Sequence, residues 1–230
     1  QLRNHMWIHA GATIGHIGAT WCERCARGGP AIRQDAYLSP WLSIRGDDRH
    51  RIVPTLNANC FESSSGRNSS LDVTPQLTLN VSTRLTASVG ADVNTNVADN
   101  QWYGAYHDAS GSAHYTFAHL DQKTLSLTAD LGYTFTPALS VQWHLQPFVS
   151  RGSFTNLREV ANPAASNYDA RYQAYADTSV TNHLGGVDAK QFNSNFVVRW
   201  EYRPGSTLFV VWTQGRNDFQ PLAGPDGIRG

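Results

Sequence analysis

The sequence predicts an all-β fold, an antiparallel up-and-down meander of about nine strands that forms part of a transmembrane β-barrel. Three observations predict this class. Apolar and polar residues alternate with a period of two along much of the chain, as successive side chains of a strand do. Helical periodicity is nearly absent. Short and long connections alternate strictly between the predicted strands, which is typical of an up-and-down barrel.

The composition agrees with this class and excludes two others. Charged residues make up 16% of the 230 residues, below the roughly 25% usual in soluble domains. The formal net charge is zero, so no electrostatic footprint indicates a nucleic-acid partner. No stretch approaches the roughly 18 consecutive apolar residues of a membrane-spanning helix; the longest compact runs resemble 208–212. A barrel strand needs only about 9–11 residues, of which alternate ones are apolar.

The strands follow from the alternation, in chain order. Three weaker strands come first, and five with clear alternation and a final one follow: 4–13, 34–45, 49–61, 70–81, 85–94, 114–135, 139–147, 195–202 and 206–215. The clearest alternation lies in 124–135, where six apolar side chains at the odd positions oppose mainly Ser, Thr and Asp at the even ones. Each of these segments therefore presents one apolar and one polar face.

The connections divide into two sets, each set at one end of the meander. Short turns are predicted near 46–48, 82–84, 136–138 and 203–206, and longer polar connections at 15–32, 61–68, 107–113 and 153–190. Outer-membrane barrels have short periplasmic turns and longer external loops. We therefore assign residues 1–216 to a partial outer-membrane barrel and residues 217–230 to a Gly/Pro-rich tail.

A soluble β-sandwich also alternates, and it is the competing interpretation. Two features disfavour it. Residues 114–135 can run unbroken for over twenty residues, whereas ordinary strands have about five or six. The polar faces carry mainly Ser, Thr, Asn, Gln and Asp, whereas a solvent-exposed face would carry more Lys and Glu. Four aromatic residues are candidates for an interfacial girdle: Trp143, Trp200, Tyr202 and Trp212.

Several segments resemble a known family. Residues 196–212 read Phe-Val-Val-Arg-Trp-Glu-Tyr-Arg-Pro-Gly-Ser-Thr-Leu-Phe-Val-Val-Trp, and shorter matches follow the expected order at 27–30, 115–122 and 146–149. Over roughly residues 20–216 the chain resembles the family labelled domain of unknown function 5916. Members usually join a family-9-like carbohydrate-binding domain to a C-terminal outer-membrane barrel. The resemblance implies a bacterial outer-membrane location, lipid as a partner and a connection with glycans.

The chain departs from that family pattern in two respects. It shows no carbohydrate-binding domain, and nine strands differ from the even number usual in bacterial single-chain barrels. Because sheet edges do not face lipid unpaired, we expect the missing strands of the same longer chain to complete the barrel. The resemblance supplies no catalytic residues.

Candidate site residues lie on polar faces and in the longest connection. Asp130, His144, Arg199 and Glu201 are predicted to face a lumen, where they either tune selectivity or pair with one another, and pairing is the favoured interpretation. Tyr168, Tyr172 and Tyr175 lie at helical spacing within 153–190 and suggest a short loop helix. These rings are candidates to stack on sugars, or, as the favoured alternative, to pack the loop onto the barrel mouth.

Neither the cysteines nor the histidines match a metal motif. Cys22 and Cys25 have the spacing of half a zinc site, but no second pair exists, so a loop disulfide or free thiols are favoured. His107, His114 and His119 fall near one loop, with Asp108 and Asp121 nearby, without the spacing of a known ligand motif. We predict no metal, no cofactor and no catalytic residue.

The sequence therefore predicts an outer-membrane barrel segment whose specific function it does not name. Glycan-related transport, surface binding or anchoring is the first hypothesis. The alternatives are a membrane-associated hydrolase that acts through the external loops and a soluble carbohydrate-binding β-sheet protein. Enzymatic activity is the less favoured class because no nucleophile elbow or nucleophile–base set is recognisable.

Overall fold

Nine long strands dominate the computed structural model, which describes residues 5–222 except for the side chains of residues 221 and 222. Together with three short strands, the strands in chain order are β1 (Trp7–Gly15), β2 (Thr20–Cys22), β3 (Ile32–Gln34), β4 (Tyr37–Arg45), β5 (Ile52–Ser63), β6 (Asn68–Ser82), β7 (Leu85–His107), β8 (Ala113–Thr136), β9 (Leu139–Val160), β10 (Tyr172–Ala174), β11 (Gly186–Arg203) and β12 (Ser206–Leu222); the short ones are β2, β3 and β10. A 3₁₀ turn, Asp169–Arg171, and a short helix α1, Thr178–Thr181, lie between β9 and β11. Among the described residues, no helix is long and apolar enough to cross a membrane.

One antiparallel sheet contains all nine long strands in chain order, β1-β4-β5-β6-β7-β8-β9-β11-β12. This order confirms the predicted all-β class and the antiparallel meander of about nine strands. Three short strands were not predicted: β10 pairs with β9, and β2 pairs with β3 in a separate hairpin. Within residues 5–222, β1 and β12 do not pair with each other, so they form the two edges of the sheet.

The connections alternate between the two ends of the sheet. One end has the turns 46–51, 83–84, 137–138 and 204–205, and the other has 16–36, 64–67, 108–112 and 161–185. Two connections predicted as long, 61–68 and 107–113, are in fact tight, because strand pairing continues into them and leaves only 64–67 and 108–112. We call the first set the short-turn end and the second the cap end.

Strands β7, β8 and β9 are 23, 24 and 22 residues long and extend well beyond their neighbours toward the cap end. Strand β12 also runs further than predicted, to Leu222, so residues 217–222 belong to the sheet. The remainder of the predicted tail, 223–230, lies outside the described residues.

The apolar side chains of the sheet are exposed. Leu125, Leu131 and Trp143 keep 40–44% of their surface accessible, and Val89 keeps 51%. A soluble sheet with one wet face packs its apolar face against a core and exposes the polar one. Here the apolar face is the open one, and the polar faces of the strands carry hydrogen bonds between neighbouring strands.

Within residues 5–222, the cluster of buried side chains forms near the cap end. Its buried side chains come from the long connections and from β8 and β10: Ala26, Ile32, Phe117, Tyr168 and Tyr172. We define the cap as residues 16–36 and 161–185, the two connections that fold onto the extensions of β7, β8 and β9. The backbone N–H of Arg33 donates to the carbonyl of Pro163 at 2.9 Å and joins the two parts of the cap.

Candidate functional site

The first part of the cap is fixed by a disulfide and a tight turn. Cys22 and Cys25 are bonded to each other, which selects the disulfide among the alternatives that the sequence left open. Arg27 and Gly28 follow with positive φ angles of 43° and 108°, and this backbone reverses the chain toward β3. Glycine adopts positive φ without steric cost, whereas Arg27 does not. Cys60, which is also among the described residues, is free and exposed.

The second part of the cap is fixed by Arg171, whose side chain is 2% exposed. Its guanidinium donates to Asp35 Oδ1 at 2.5 Å and to the carbonyls of Ala165 at 2.8 Å and Ser166 at 3.1 Å. Ser64 also donates to Asp35, at 2.7 Å. Burial by itself raises the pKa of Asp35, but the hydrogen bonds from Arg171 and Ser64 outweigh it and hold the pKa below its usual value.

A second buried arginine lies beside the first. Arg158 and Asp99 each have 11% exposed side chains and form an ion pair at 2.9 Å, and His119 contacts the same carboxylate at 3.0 Å. The Arg158 guanidinium lies 5.1 Å from the ring centre of Tyr172 and 5.9 Å from that of Tyr168. Burial raises the pKa of the Tyr168 hydroxyl far above its ordinary value, so this ring stays neutral. The Asp99 carboxylate and the two aromatic ring faces thus both stabilise the Arg158 cation.

Beside this packed region lies a cavity of about 250 Å³. The rings of Tyr37 and Phe61 form one side, with their centres 5.4 Å apart. Polar groups also line the cavity, among them the ion-paired Asp35 and Arg171, and side chains that include four amides: Gln34, Asn68, Asn96, Asn100, His16 and Arg33. The arrangement combines apolar ring faces with amide and charged hydrogen-bonding groups, which is how proteins bind small polar ligands that have apolar surfaces.

The polar face of the sheet carries a hydrogen-bonded lattice between neighbouring strands. Its pairs are Ser39–Asn59, Ser43–Asn57, Thr74–Asp92, Asn94–Asp72, Ser88–Asp130 and Gln122–Ser150, with donor–acceptor distances of 2.7–3.4 Å. Small polar side chains at alternate positions bring their donors and acceptors opposite one another across the strands. The face is therefore polar and internally satisfied rather than densely charged.

The four residues predicted on the polar face form two separate pairs. Asp130 and His144 are opposite each other on β8 and β9, and the carboxylate contacts the ring Nδ1 at 2.7 Å. Arg199 contacts Glu201 on the same strand at 3.3 Å. Along β11, Arg199 lies four residues beyond Asn195, the register partner of His144. The geometry therefore gives one histidine–carboxylate contact and one local ion pair instead of one four-residue constellation.

The three predicted loop tyrosines do not share a helix face. Tyr168 precedes the 3₁₀ turn, Tyr172 begins β10, and both are more than 90% buried in the core. Tyr175 stacks on Tyr106 at 5.6 Å, away from the core pair. The predicted helix is wrong because residue 172 adopts an extended backbone and pairs with Val160 of β9. Of the three, Tyr172 alone lines the cavity described above.

An unpredicted cluster surrounds His114 at the tip of the β7–β8 hairpin. Its Nδ1 makes a short contact with Glu159 of β9, and its Nε2 lies 3.5 Å from Asp108. The hydrogen bond with Glu159 raises the pKa of His114, and Asp108 adds to the shift. Gln173 of β10 donates to the same Glu159 at 2.8 Å. His114 thereby links the hairpin to the cap.

The histidines considered as metal ligands lie in different environments, with His114 beside Glu159 and His119 beside Asp99. Among residues 5–222, no three His, Cys, Asp or Glu side chains are arranged to hold a metal ion. No sequence signal links Asp35 to Arg171 or His114 to Glu159, because the partners are far apart in the chain and meet only through the cap and the strand pairing.

Fold and site define a class: a single antiparallel meander with an exposed apolar face, a polar face and a folded cap. The model of a protein family, Domain of unknown function (DUF5916), matches residues 18–224. The chain belongs to this family, as its sequence segments predicted. No curated protein and no solved structure matches the chain significantly.

Proposed function

We propose that this chain forms part of the wall of a transmembrane β-barrel in the bacterial outer membrane. The observation that carries the proposal is a band of exposed apolar side chains at alternate positions on one face of the sheet. In four strands the band spans eleven residues: Leu71–Val81, Leu125–Phe135, Leu139–Val149 and Phe192–Tyr202, the last interrupted by the buried Ser194, which accepts a hydrogen bond from the Trp143 ring. In water such a face would be unfavourable over its whole area, whereas in lipid it is solvated.

The dimensions of the band support a membrane over a protein partner. Eleven residues rise roughly 33 Å along a strand at about 3.3 Å per residue. Tilted by about 40°, as barrel strands are, they span roughly 25 Å, the height of the apolar belt of outer-membrane barrels. Trp200 and Tyr202 lie at its short-turn end, where an interfacial girdle is expected, whereas Trp143 and Trp212, also predicted for the girdle, lie beside Phe196 near the middle of the band.

The two edge strands of the sheet need pairing partners in the proposed barrel wall. Strands β1 and β12 each leave one side unpaired within residues 5–222. Unpaired backbone groups are not tolerated against lipid, so both edges require partners. Further strands of the same longer chain are the partners we propose, with lipid around the outside and the hydrogen-bonded polar face toward the lumen.

Fractionation of the full-length protein tests this proposal, followed by electrophoresis with and without boiling. We expect outer-membrane location and a mobility that changes on boiling. A matched pair of variants sharpens the test: Leu131→Arg on the apolar face and Gln142→Arg on the polar face of the adjacent strand at nearly the same height. Arginine near the midplane of the lipid face costs about 2–4 kcal/mol, so only Leu131→Arg should reduce the inserted fraction. Equal tolerance of both variants in a soluble, detergent-independent protein contradicts the proposal.

A second function, surface binding of a glycan, is favoured by the cap cavity. The paired rings of Tyr37 and Phe61 beside several amide side chains suit one neutral sugar unit, and about 250 Å³ accommodates roughly one ring. We expect Tyr37→Ala to abolish binding of short neutral oligosaccharides in calorimetric titration. The control is Tyr202→Ala, at the opposite end of the sheet, which should leave binding unchanged. If wild-type protein binds none of a panel of such sugars, this second function is wrong.

A further inference from the structure

Two cations terminate the apolar band on the cap side of the sheet. Lys123 lies two residues beyond Leu125 on β8, and Arg151 lies two residues beyond Val149 on β9. Because side chains two apart in a strand share a face, both cations belong to the apolar face. Both residues are exposed. On the apolar face, the last hydrocarbon side chain of each of these two strands is thus followed two residues further by a positively charged one.

The register places these two cations directly opposite each other. Lys123 and Arg151 are Cα partners in the β8–β9 ladder. Side chains so paired have their Cβ atoms about 4.5–5.5 Å apart, and like charges at this distance repel. An anion between the two side chains would remove the repulsion.

The neighbouring carboxylates leave this charge incompletely neutralised. Asp188 of β11 contacts Arg151 at 3.1 Å and also contacts Lys190 at 3.8 Å, so one buried carboxylate serves two cations. Asp121 lies two residues further from the band than Lys123. Within the described part of the chain, Lys123 forms no ion pair within 4.0 Å. Three cations thus face two carboxylates, and the excess positive charge includes Lys123, directly opposite Arg151.

The surface below the two cations is a shallow apolar depression between β8 and β9. Leu125 and Val149 line it, together with Lys123, Arg151 and the carboxylate of Asp121. The apolar part of the depression matches the chemistry of an acyl chain, and the two cations match that of a phosphate group. Arg and Lys are the side chains that bind phosphate oxygens most strongly.

We infer that this depression binds a phosphate-bearing membrane lipid in the leaflet that meets the cap end. The inference rests on the proposed membrane-spanning function and goes beyond it by assigning a lipid class to one position on the wall. The phosphate accepts hydrogen bonds from Lys123 and Arg151, and the acyl chain lies on Leu125 and Val149. The lipid thereby relieves the repulsion that the register imposes.

The test uses the full-length protein folded in phosphatidylcholine vesicles that contain a small fraction of phosphatidic acid. Lipids retained after gentle extraction are measured by native mass spectrometry. We expect wild-type protein to retain phosphatidic acid preferentially, and the double variant Lys123→Gln/Arg151→Gln to lose the preference. A basic residue near a membrane surface contributes about fivefold, so the loss should be about 25-fold. Leu125 and Val149 stay unchanged, so insertion should be unaffected.

The matched control is Arg24→Gln/Arg67→Gln, which removes the same charge at the same end of the molecule but away from the apolar band. This variant should keep the wild-type preference. Excess inorganic phosphate should not displace the lipid, because it lacks the acyl chain. Displacement by phosphate alone, equal loss in the control, or no preference in correctly inserted wild-type protein each overturns the inference. Failure of the wild type to insert at all contradicts the proposed function instead.

Discussion

Replacement of Arg171 by glutamine should loosen the cap while the sheet stays intact. Arg171 is 2% exposed, and its guanidinium bonds to Asp35 and to the carbonyls of Ala165 and Ser166. Glutamine is too short to satisfy all three acceptors and carries no charge. The substitution therefore leaves a partly buried carboxylate and at least one carbonyl without their donor.

The free-energy cost of the substitution depends on the interactions that Asp35 keeps. Breaking a buried ion pair on one side usually costs about 3–5 kcal/mol, because the surviving charge is uncompensated. Asp35 keeps 24% of its side chain exposed and the hydrogen bond from Ser64, so the lower end of the range, about 3 kcal/mol, applies. Since about 1.4 kcal/mol corresponds to a factor of ten, local opening of the cap should become about 100-fold more frequent.

Hydrogen exchange of the protein in detergent or lipid measures this opening directly. The reporters are the backbone N–H groups of Arg33, bonded to Pro163, and of Ala161, bonded to residue 171 itself. Both amides should exchange about 100-fold faster in the variant, whereas amides of β8 within the apolar band should not change. Regions that open locally exchange independently of the global unfolding free energy.

The control is Arg67→Gln, another arginine whose guanidinium lies over the Tyr168 ring, at 5.1 Å compared with 5.6 Å for Arg171. Arg67 pairs with Asp169 at the surface, with side chains 42% and 61% exposed. Exposed pairs contribute about 0–1 kcal/mol, so exchange should rise less than about fivefold. Equal acceleration in the two variants would show that burial of the Arg171–Asp35 pair does not determine cap stability.

Two further predictions concern the links between cap and sheet. Because the pKa of His114 is raised in the folded state, its ion pair with Glu159 contributes full stability below the ordinary histidine pKa near 6.5 and loses it as pH rises through the elevated value. Hydrogen exchange at the β7–β8 tip should therefore accelerate between pH 6 and pH 9 by more than hydroxide catalysis accounts for. His114→Gln should remove this excess acceleration. If the excess is unchanged in the variant, the His114–Glu159 pair does not stabilise the tip. Replacing Cys22 and Cys25 with serine should cost the cap about 2 kcal/mol, the chain-entropy value for so short a loop. Exchange of residues 16–36 checks this, and acceleration beyond about 1,000-fold would show that the disulfide does more than restrict the unfolded loop.

The meander was predictable because its signal is local. Alternation within a strand is a property of neighbouring residues, and each turn needs only a few residues, so strand order and the turns at the short-turn end followed from the sequence. The cap-side extensions of β7, β9 and β11, which were predicted only as 85–94, 139–147 and 195–202, did not. The cap was not predictable for the opposite reason. Asp35 and Arg171 are separated by 136 residues, and Phe117 joins Tyr172 only because β10 pairs with the far end of β9. Helical spacing of the tyrosines misled the prediction, since tertiary packing decided the conformation of so short a segment.

The environment of the apolar residues changes at the boundary between the sheet and the cap. Below Lys123, Leu125 and Leu131 are exposed at 44% and 40%, and no element of the described part of the chain covers them. Above it, Phe117 on the same strand is 2% exposed and packs against the cap. The apolar residues of β8 thus face an external solvent in one half of the strand and a protein core in the other half. If lipid is that solvent, as we propose, the charged step at Lys123 marks the level at which lipid gives way to water, and the cap is needed because only there must apolar side chains be covered by protein.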